Sequence, residues 1–241
     1  GALFFGFLAF AYILQGQFYF AAWSIFIAGL LDMSDGRIAR LTGGSSDFGS
    51  QYDSLCDFCN FGLAPALLAY EYSLKNFGRL GLAAAFLYFV CAALRLARFN
   101  TIAEDFPKSY FVGLPSPAAA LFIAAVAIAH SEVHFSRPDL ILLPALIMLG
   151  LLMVSTVRYR SFKDFDLRHR RRFFMLVFLI VGLAFVIVHP EVGLLVLATY
   201  YVFWGPVREL VGWVRRKARP QHSTLTATDK AHGIETTRGG E

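Results

Sequence analysis

The feature that most constrains this chain is a succession of long apolar segments separated by short polar ones. A helix needs about 20 mostly apolar residues to cross a bilayer. Only 16% of the 241 residues are charged, whereas soluble domains carry about a quarter. The sequence therefore predicts an all-α, polytopic membrane helix bundle of about eight transmembrane helices, at roughly 2–14, 18–40, 49–72, 78–98, 113–130, 139–157, 173–188 and 190–213.

The distribution of basic residues predicts the orientation of this bundle. Lys and Arg collect in cytoplasmic loops, and a cytoplasmic N-terminus leaves only Lys75, Arg79 and Arg137 on the outer side. Both termini are therefore expected in the cytoplasm, with the protein in the cytoplasmic (inner) membrane. Residues 1–218 are expected to form one membrane domain, which begins at Gly1 without an initiator Met and is interpreted as trimmed there. Residues 219–241 are polar and predict a disordered cytoplasmic tail.

Two local patterns have more than one interpretation. The loop 158–172 interleaves basic and aromatic residues. This pattern favours topology control and attraction to anionic lipid headgroups over nucleic-acid binding, because the latter needs a soluble module. Cys56 and Cys59 form a CxxC pair. With no second pair and no histidine nearby, packing is favoured over a zinc or redox site.

Four aspartates break the apolar pattern in the second and third segments. An ionisable group at membrane depth is unfavourable and usually functional. On helices, Asp32 and Asp35 lie about 60° apart, and Asp53 and Asp57 about 40° apart. The short polar connection between the segments predicts antiparallel neighbours whose acidic faces meet near the cytoplasmic surface. Carboxylates suit hard divalent ions such as Mg²⁺ or Mn²⁺, and several of them can bridge two ions for phosphoryl transfer.

Small residues stand beside these acids. Gly36, Ala39 and Gly49 lie on the acidic faces and leave room for a bulky ligand against the backbone. Arg40, near the helix end, is placed to hold a phosphate or diphosphate. The pattern indicates displacement at phosphorus at the membrane surface. A cation transporter that uses the acids as a pathway is the alternative from another class, although it has no need of the small residues.

Read together, these residues form the pattern D-x2-D-G-x2-A-R-x8-G-x3-D-x3-D from Asp32 to Asp57. This pattern resembles the complete motif of the CDP-alcohol phosphatidyltransferases. The resemblance implies that Asp32, Asp35 and Asp53 are metal ligands, and that Asp57 completes the metal site and acts as the catalytic base. It also implies a CDP-lipid site lined by Gly36, Ala39, Arg40 and Gly49.

The wider context resembles the bacterial phosphatidylserine synthases within that family. The similar segments are 45–71, 91–100 and 110–120, although this chain has Asn60 where the family usually has Ser. The resemblance implies that CDP-diacylglycerol and L-serine give phosphatidylserine and CMP, and it suggests a homodimer. The same chemistry on glycerol 3-phosphate or an inositol phosphate is the nearest alternative.

The acceptor site is predicted from polar residues near the acids. Arg95 and Arg98 lie one turn apart near the cytoplasmic end of the fourth segment and are candidates for the serine carboxylate, with Asn100 nearby. Asn60 shares a helix face with Asp53 and is expected to face the pocket. The alternative interpretation is that the two arginines only set the topology.

Overall fold

The computed structural model describes residues 1–41, 47–102, 110–133, 137–155, 158–160 and 188–217. Side-chain surroundings are described for all of these except 36–41, 47, 102, 110–112, 158–160 and 209–217. The predicted tail 219–241 and nearly all of the predicted segment 173–188 lie outside the described residues. The chain divides into two units, Gly1–Pro206 and Val207–Glu241. Within the second unit, the described residues belong to a single helix.

The described part of the chain is helical apart from one pair of short strands, which confirms the all-helical prediction for these residues. Seven of the predicted apolar segments contain helices, and the third one holds two. The helices are α1 (Ala2–Leu14), α2 (Phe18–Leu41), α3 (Asp47–Asp57), α4 (Ala64–Tyr72), α5 (Arg79–Ile102), α6 (Ser116–Val133), α7 (Pro138–Val154) and α8 (Pro190–Lys217).

Two of the described helices are long and apolar enough to cross a membrane, namely Arg79–Thr101 and Ser116–Val133. The apolar helices α1 and α7 are shorter, with 13 and 17 residues. Helix α2 has 24 residues but carries acidic and basic residues in its second half. The number of spans and the orientation of the termini therefore stay predictions.

Small residues allow the helices of the first unit to pack closely. Helix α6 contributes a nearly continuous buried surface that includes Ala119, Ala120 and Ala124. Between α5 and α7, a Cβ at Gly150 would lie 3.4 Å from the Cα of Tyr88. Close approach through small residues is the usual way in which helices associate in lipid. Helix α6 and the α5–α7 contact are thus two parts of the interior in which small residues bring helices close together.

The two strands were not expected from the sequence. Tyr110–Val112 pairs in antiparallel register with Arg158–Arg160, at the start of the segment predicted as a basic loop. Gly113 has a φ of 86° and sits so close to the end of α7 that a Cβ there would overlap the Met153 carbonyl oxygen. The N–H of Leu114 donates to the Leu152 carbonyl at 3.0 Å. The chain is therefore held along the end of α7, which brings it beside residues 158–160.

The third predicted segment is interrupted rather than continuous. Helices α3 and α4 are joined by a π-helical turn, Phe58–Leu63, in which the Ala64 N–H donates to the Cys59 carbonyl five residues back. Pro65 follows at the start of α4. In an unbroken α-helix its ring would clash with the Phe61 carbonyl, and it has no N–H to donate. The wider turn relieves this conflict, and it comes directly after Asp57.

Candidate active site

Asp32 and Asp57 are brought together from different helices. Their carboxyl groups, on α2 and at the end of α3, are close enough to share a hydrogen bond. The Oδ1 atom of Asp57 is buried and has no hydrogen-bond partner among the described residues. The charge of Asp53, one turn before Asp57, acts on both of these carboxylates. The result is a concentration of negative charge at the start of the π-helical turn.

Asp35 and Asp53 are exposed, although the charges of both act on Asp32. The side chain of Asp35 is 54% exposed, and its Oδ2 lies 3.8 Å from the backbone nitrogen of Gly1 at the start of α1. Asp53 is also exposed. Within the described residues, no group of three or more His, Cys, Asp or Glu side chains is arranged to hold a metal ion. The structure thus brings Asp32 and Asp57 together, and it does not gather all four aspartates round one point.

Arg95 on α5 lies near Asp57. Its Nη1 donates a hydrogen bond of 2.9 Å to Ser116 Oγ at the start of α6. Its Nε is buried without a partner among the described residues, and its charge acts on Asp57. A buried guanidinium with an unused N–H is unfavourable unless a ligand or water accepts from it. Arg95 is therefore the basic side chain placed to receive an anionic group next to Asp57.

Arg98 and Asn100 make contacts that join helices. Arg98 Nη1 donates to the carbonyl of Val154 at 3.3 Å, at the C-terminus of α7, where a positive charge is favourable. Asn100 Nδ2 donates to Ser54 Oγ on α3 at 3.1 Å. These two residues hold α5 against α7 and α3. Arg95 instead bonds to Ser116 at the start of α6.

Asn60 lies inside the π-helical turn and is completely buried. Neither Oδ1 nor Nδ2 has a hydrogen-bond partner among the described residues. Gly6 of α1 lies against the amide so closely that a Cβ there would overlap Asn60 Oδ1. The side chain thus occupies the contact between α1 and the turn, three residues after Asp57.

The predicted CDP-lipid residues lie at the C-terminal end of α2 and in the first turn of α3. Gly36, Ala39 and Arg40 belong to the last turns of α2, where the side-chain surroundings lie outside the described part of the structure. Gly49 lies in the first turn of α3 and is exposed. The lining of the nucleotide site by these residues stays a prediction.

Comparison with known proteins decides the family. The sequence profile of the CDP-alcohol phosphatidyltransferase family matches residues 1–158. This chain belongs to that family. It is 37% identical over 211 residues to the CDP-diacylglycerol–serine O-phosphatidyltransferase of Helicobacter pylori, which covers 87% of each chain. Proteins of the same name from Methanocaldococcus jannaschii and Bacillus subtilis are 33% and 32% identical, covering 78% and 66% of this chain and 83% and 84% of theirs.

Membership of the CDP-alcohol phosphatidyltransferase family confirms the resemblance and identifies the chain as an enzyme. The transporter hypothesis is therefore set aside. Enzymes of this family generally depend on a divalent metal. The donor chemistry of the site fits such an ion, because it offers carboxylate oxygens, an excess of negative charge and the unpartnered Oδ1 of Asp57. The exposed side chains of Asp35 and Asp53 have room to turn toward it.

Three residues near the site were not singled out from the sequence. Ser116 accepts the hydrogen bond of Arg95, and Tyr88 and Tyr201 lie within range of its charge. Ser116 falls in the segment 110–120 that resembles the family, so that segment was the available signal. Tyr88 precedes Arg95 by seven residues, and this spacing places both on one helix face. Tyr201 is on α8, and no local pattern connects it to Arg95.

Proposed function

We propose that this enzyme transfers a phosphatidyl group from CDP-diacylglycerol to L-serine and releases CMP. The names of the relatives from three organisms support CDP-diacylglycerol and serine as the substrates. The observation that carries the proposal is the buried Arg95 guanidinium beside Asp57. A base and a cation side by side suit an acceptor with both a hydroxyl group and a carboxylate.

Asp57 takes the proton from the serine hydroxyl in this proposal. The hydroxyl oxygen then forms a bond to the lipid-side phosphorus of CDP-diacylglycerol. The bond from that phosphorus to the bridging oxygen breaks, and CMP leaves with the electron pair. A positioned base of this kind contributes typically 10²–10⁴-fold to the rate. The buried Oδ1 of Asp57 supports this role, because it is not engaged by another described residue.

The metal site would be formed by Asp32, Asp35, Asp53 and Asp57, with two Mg²⁺ or Mn²⁺ ions as the proposed occupants. When bound, such ions neutralise the diphosphate and ease the departure of CMP. The close approach of Asp32 and Asp57 supports a shared cation, since two carboxylates this close need either a proton or a cation between them. The motif match supports Gly36, Ala39, Arg40 and Gly49 as the lining of the CDP-lipid site.

Within the acceptor site, Arg95 would receive the serine carboxylate. Asn60 would contribute its unpartnered amide, three residues after the base. Arg98 and Asn100 would act indirectly by holding α5 against α7 and α3. A phosphorylated acceptor needs more positive charge than serine does. Of the described basic residues, Arg95 is the one whose charge acts on Asp57, which favours serine over glycerol 3-phosphate or an inositol phosphate.

We also propose eight membrane spans in the cytoplasmic membrane, with both termini and the active site on the cytoplasmic side, and a homodimer. The apolar segments and the distribution of basic residues support the spans and the orientation. The two long apolar helices in the described part agree with a membrane location. The homodimer rests on the family resemblance alone.

The decisive experiment measures CMP release from CDP-diacylglycerol in detergent or liposomes with L-serine, ethanolamine, glycerol 3-phosphate or inositol 1-phosphate. We expect release with L-serine, together with formation of phosphatidylserine, and loss of the reaction in excess EDTA with recovery on adding Mg²⁺ or Mn²⁺. Release with a phosphorylated acceptor and not with serine would overturn the choice of acceptor. Full activity in EDTA would overturn the metal site.

A further inference from the structure

A buried hydrogen bond links α5 to the π-helical turn that follows Asp57. The hydroxyl of Tyr88 donates to the carbonyl oxygen of Phe61 at 2.9 Å. Both residues are fully buried, and they are 27 positions apart in the sequence. The bond therefore joins two segments across the interior of the protein.

Pro65 removes the usual α-helical donor to the carbonyl of Phe61. In an α-helix the Phe61 carbonyl would accept from the N–H of residue 65, and proline has none. The backbone instead passes through the π-helical turn, in which Ala64 donates to Cys59. A buried carbonyl left without a donor is unfavourable, and nearly all such groups in native proteins are paired. The Tyr88 hydroxyl donates to the carbonyl that proline at position 65 leaves without its α-helical donor.

Tyr88 is itself held firmly in place. A Cβ at Gly150 of α7 would lie 3.4 Å from its Cα, so the two helices are in close contact at this level. Arg95 lies two turns further along α5 on the same face, and its charge acts on Tyr88. One face of α5 thus carries both Tyr88, which bonds to the π-helical turn, and Arg95, which lies beside Asp57. The π-helical turn contains Asn60 and directly follows Asp57.

We infer that Tyr88 is a positioning residue, whose hydrogen bond to the Phe61 carbonyl fixes the π-helical turn and so sets the orientation of Asp57 relative to Arg95. This inference rests on the proposed function, because it takes Asp57 as the base. Tyr88 contacts the backbone of the turn and needs no contact with either substrate. It should therefore affect the rate of the chemical step more than the binding of substrates.

The test is Tyr88→Phe, which keeps the ring and removes only the donor. We expect kcat to fall roughly ten- to a hundred-fold, since a small misplacement of a catalytic group has an effect of this size. The KM values for serine and CDP-diacylglycerol should change less than about three-fold, because the substitution does not remove a group that binds either substrate. The matched control is Tyr72→Phe, which removes a tyrosine hydroxyl bonded to His130 Nδ1 between α4 and α6. That variant should keep the parent kcat.

A second variant tests the mechanism of the effect. Pro65→Ala restores a backbone N–H that can donate to the Phe61 carbonyl, so the Tyr88 hydroxyl should then matter less. We expect Tyr88→Phe to lower kcat less than about three-fold in the Pro65→Ala background. An equal loss in both backgrounds would show that the hydroxyl acts elsewhere, and the inference would be wrong.

Amide hydrogen exchange gives a readout that needs no substrate. Exchange across residues 58–64 should be several-fold faster in Tyr88→Phe than in the parent, and unchanged in Tyr72→Phe. If Tyr88→Phe left exchange across residues 58–64 unchanged, or kept the kcat of the parent, the inference would be wrong. A parent enzyme without serine-dependent CMP release would instead contradict the proposed function, and the exchange result would still decide whether Tyr88 fixes the turn.

Discussion

Asp57 is a carboxylate held between another carboxylate and a guanidinium. Asp32 shares its immediate surroundings, Arg95 faces it, and its Oδ1 has no partner among the described residues. The two acids differ in their neighbours. Asp57 is the one whose surroundings include Arg95, which is the proposed acceptor residue. This asymmetry is the basis for assigning proton transfer to Asp57 and metal binding chiefly to the other three aspartates.

The division of roles predicts different losses for two amide substitutions. Asp57→Asn keeps the shape and removes the base, so CMP release should fall about 10²–10⁴-fold with CDP-diacylglycerol binding largely retained. Asp32→Asn should weaken metal and CDP-lipid binding together. Turnover assays and calorimetric titration with CDP and Mg²⁺ would measure both effects. Equal loss of binding in the two variants would make Asp57 chiefly a metal ligand.

The two arginines of α5 should also separate. Arg95→Ala should raise the KM for serine roughly ten- to a hundred-fold, because a charge-assisted hydrogen bond contributes about 1.5–3 kcal/mol. The KM for CDP-diacylglycerol should change little. Arg98→Ala is the matched comparison, since its guanidinium binds the end of α7. Arg98→Ala should lower the melting temperature and leave the KM for serine nearly unchanged.

Serine titrations of both variants at saturating CDP-diacylglycerol distinguish the two arginines. A KM raised equally in both would return Arg98 to the acceptor site. An unchanged KM for serine in both variants would mean that these arginines serve only topology and packing and do not bind the acceptor.

At the scale of elements, the sequence predicted those features of the fold that local patterns determine. Apolar segments predicted the described helices, because burial in lipid or protein selects apolar runs of helical length. The spacing of the acids and the short polar connection predicted that the acidic faces of α2 and α3 approach one another. The interruption at the π-helical turn was not predicted, although Pro65 was a visible cue, because the apolar pattern runs through it. The strand pair at 110–112 and 158–160 depends on non-local pairing, which leaves no periodicity in such short segments.

The contact between α1 and the π-helical turn allows a test of packing. Gly6→Ala should destabilise the protein by about 1–3 kcal/mol, because the added Cβ overlaps the buried amide of Asn60. Gly29→Ala in α2 is the control, since a Cβ there meets Phe61 Cε1 at an ordinary 3.5 Å. That change should be neutral or stabilising by about 0.5–1 kcal/mol through helix propensity.

Thermal unfolding in one detergent would compare these variants. In an Asn60→Ala background, Gly6→Ala should lose most of its effect, because the overlapping group is gone. A full loss of stability in that background would locate the strain elsewhere in α1.

At the scale of the whole molecule, the distribution of basic residues predicts which side of the membrane the active site faces. Asp32 and Arg95 lie in the C-terminal halves of α2 and α5, which also contain Arg37, Arg40 and Arg98. The connection between α4 and α5 lies at the opposite ends of those two helices and contains Lys75, whose side chain is 63% exposed. The proposed cytoplasmic orientation of the active site follows the positive-inside rule.

Cysteine labelling in intact cells tests the orientation. Lys75→Cys should react with a membrane-impermeant maleimide from outside, because Lys75 lies in the exposed connection between α4 and α5. Phe48→Cys, at the start of α3 and 80% exposed, should react only after the cells are opened. Both changes are made after Cys56, Cys59 and Cys91 are replaced by Ala, so that no native thiol contributes. The reverse pattern would place the active site on the outer face and contradict the proposed orientation. Labelling of both sites in intact cells would mean that the segment between them does not cross the membrane.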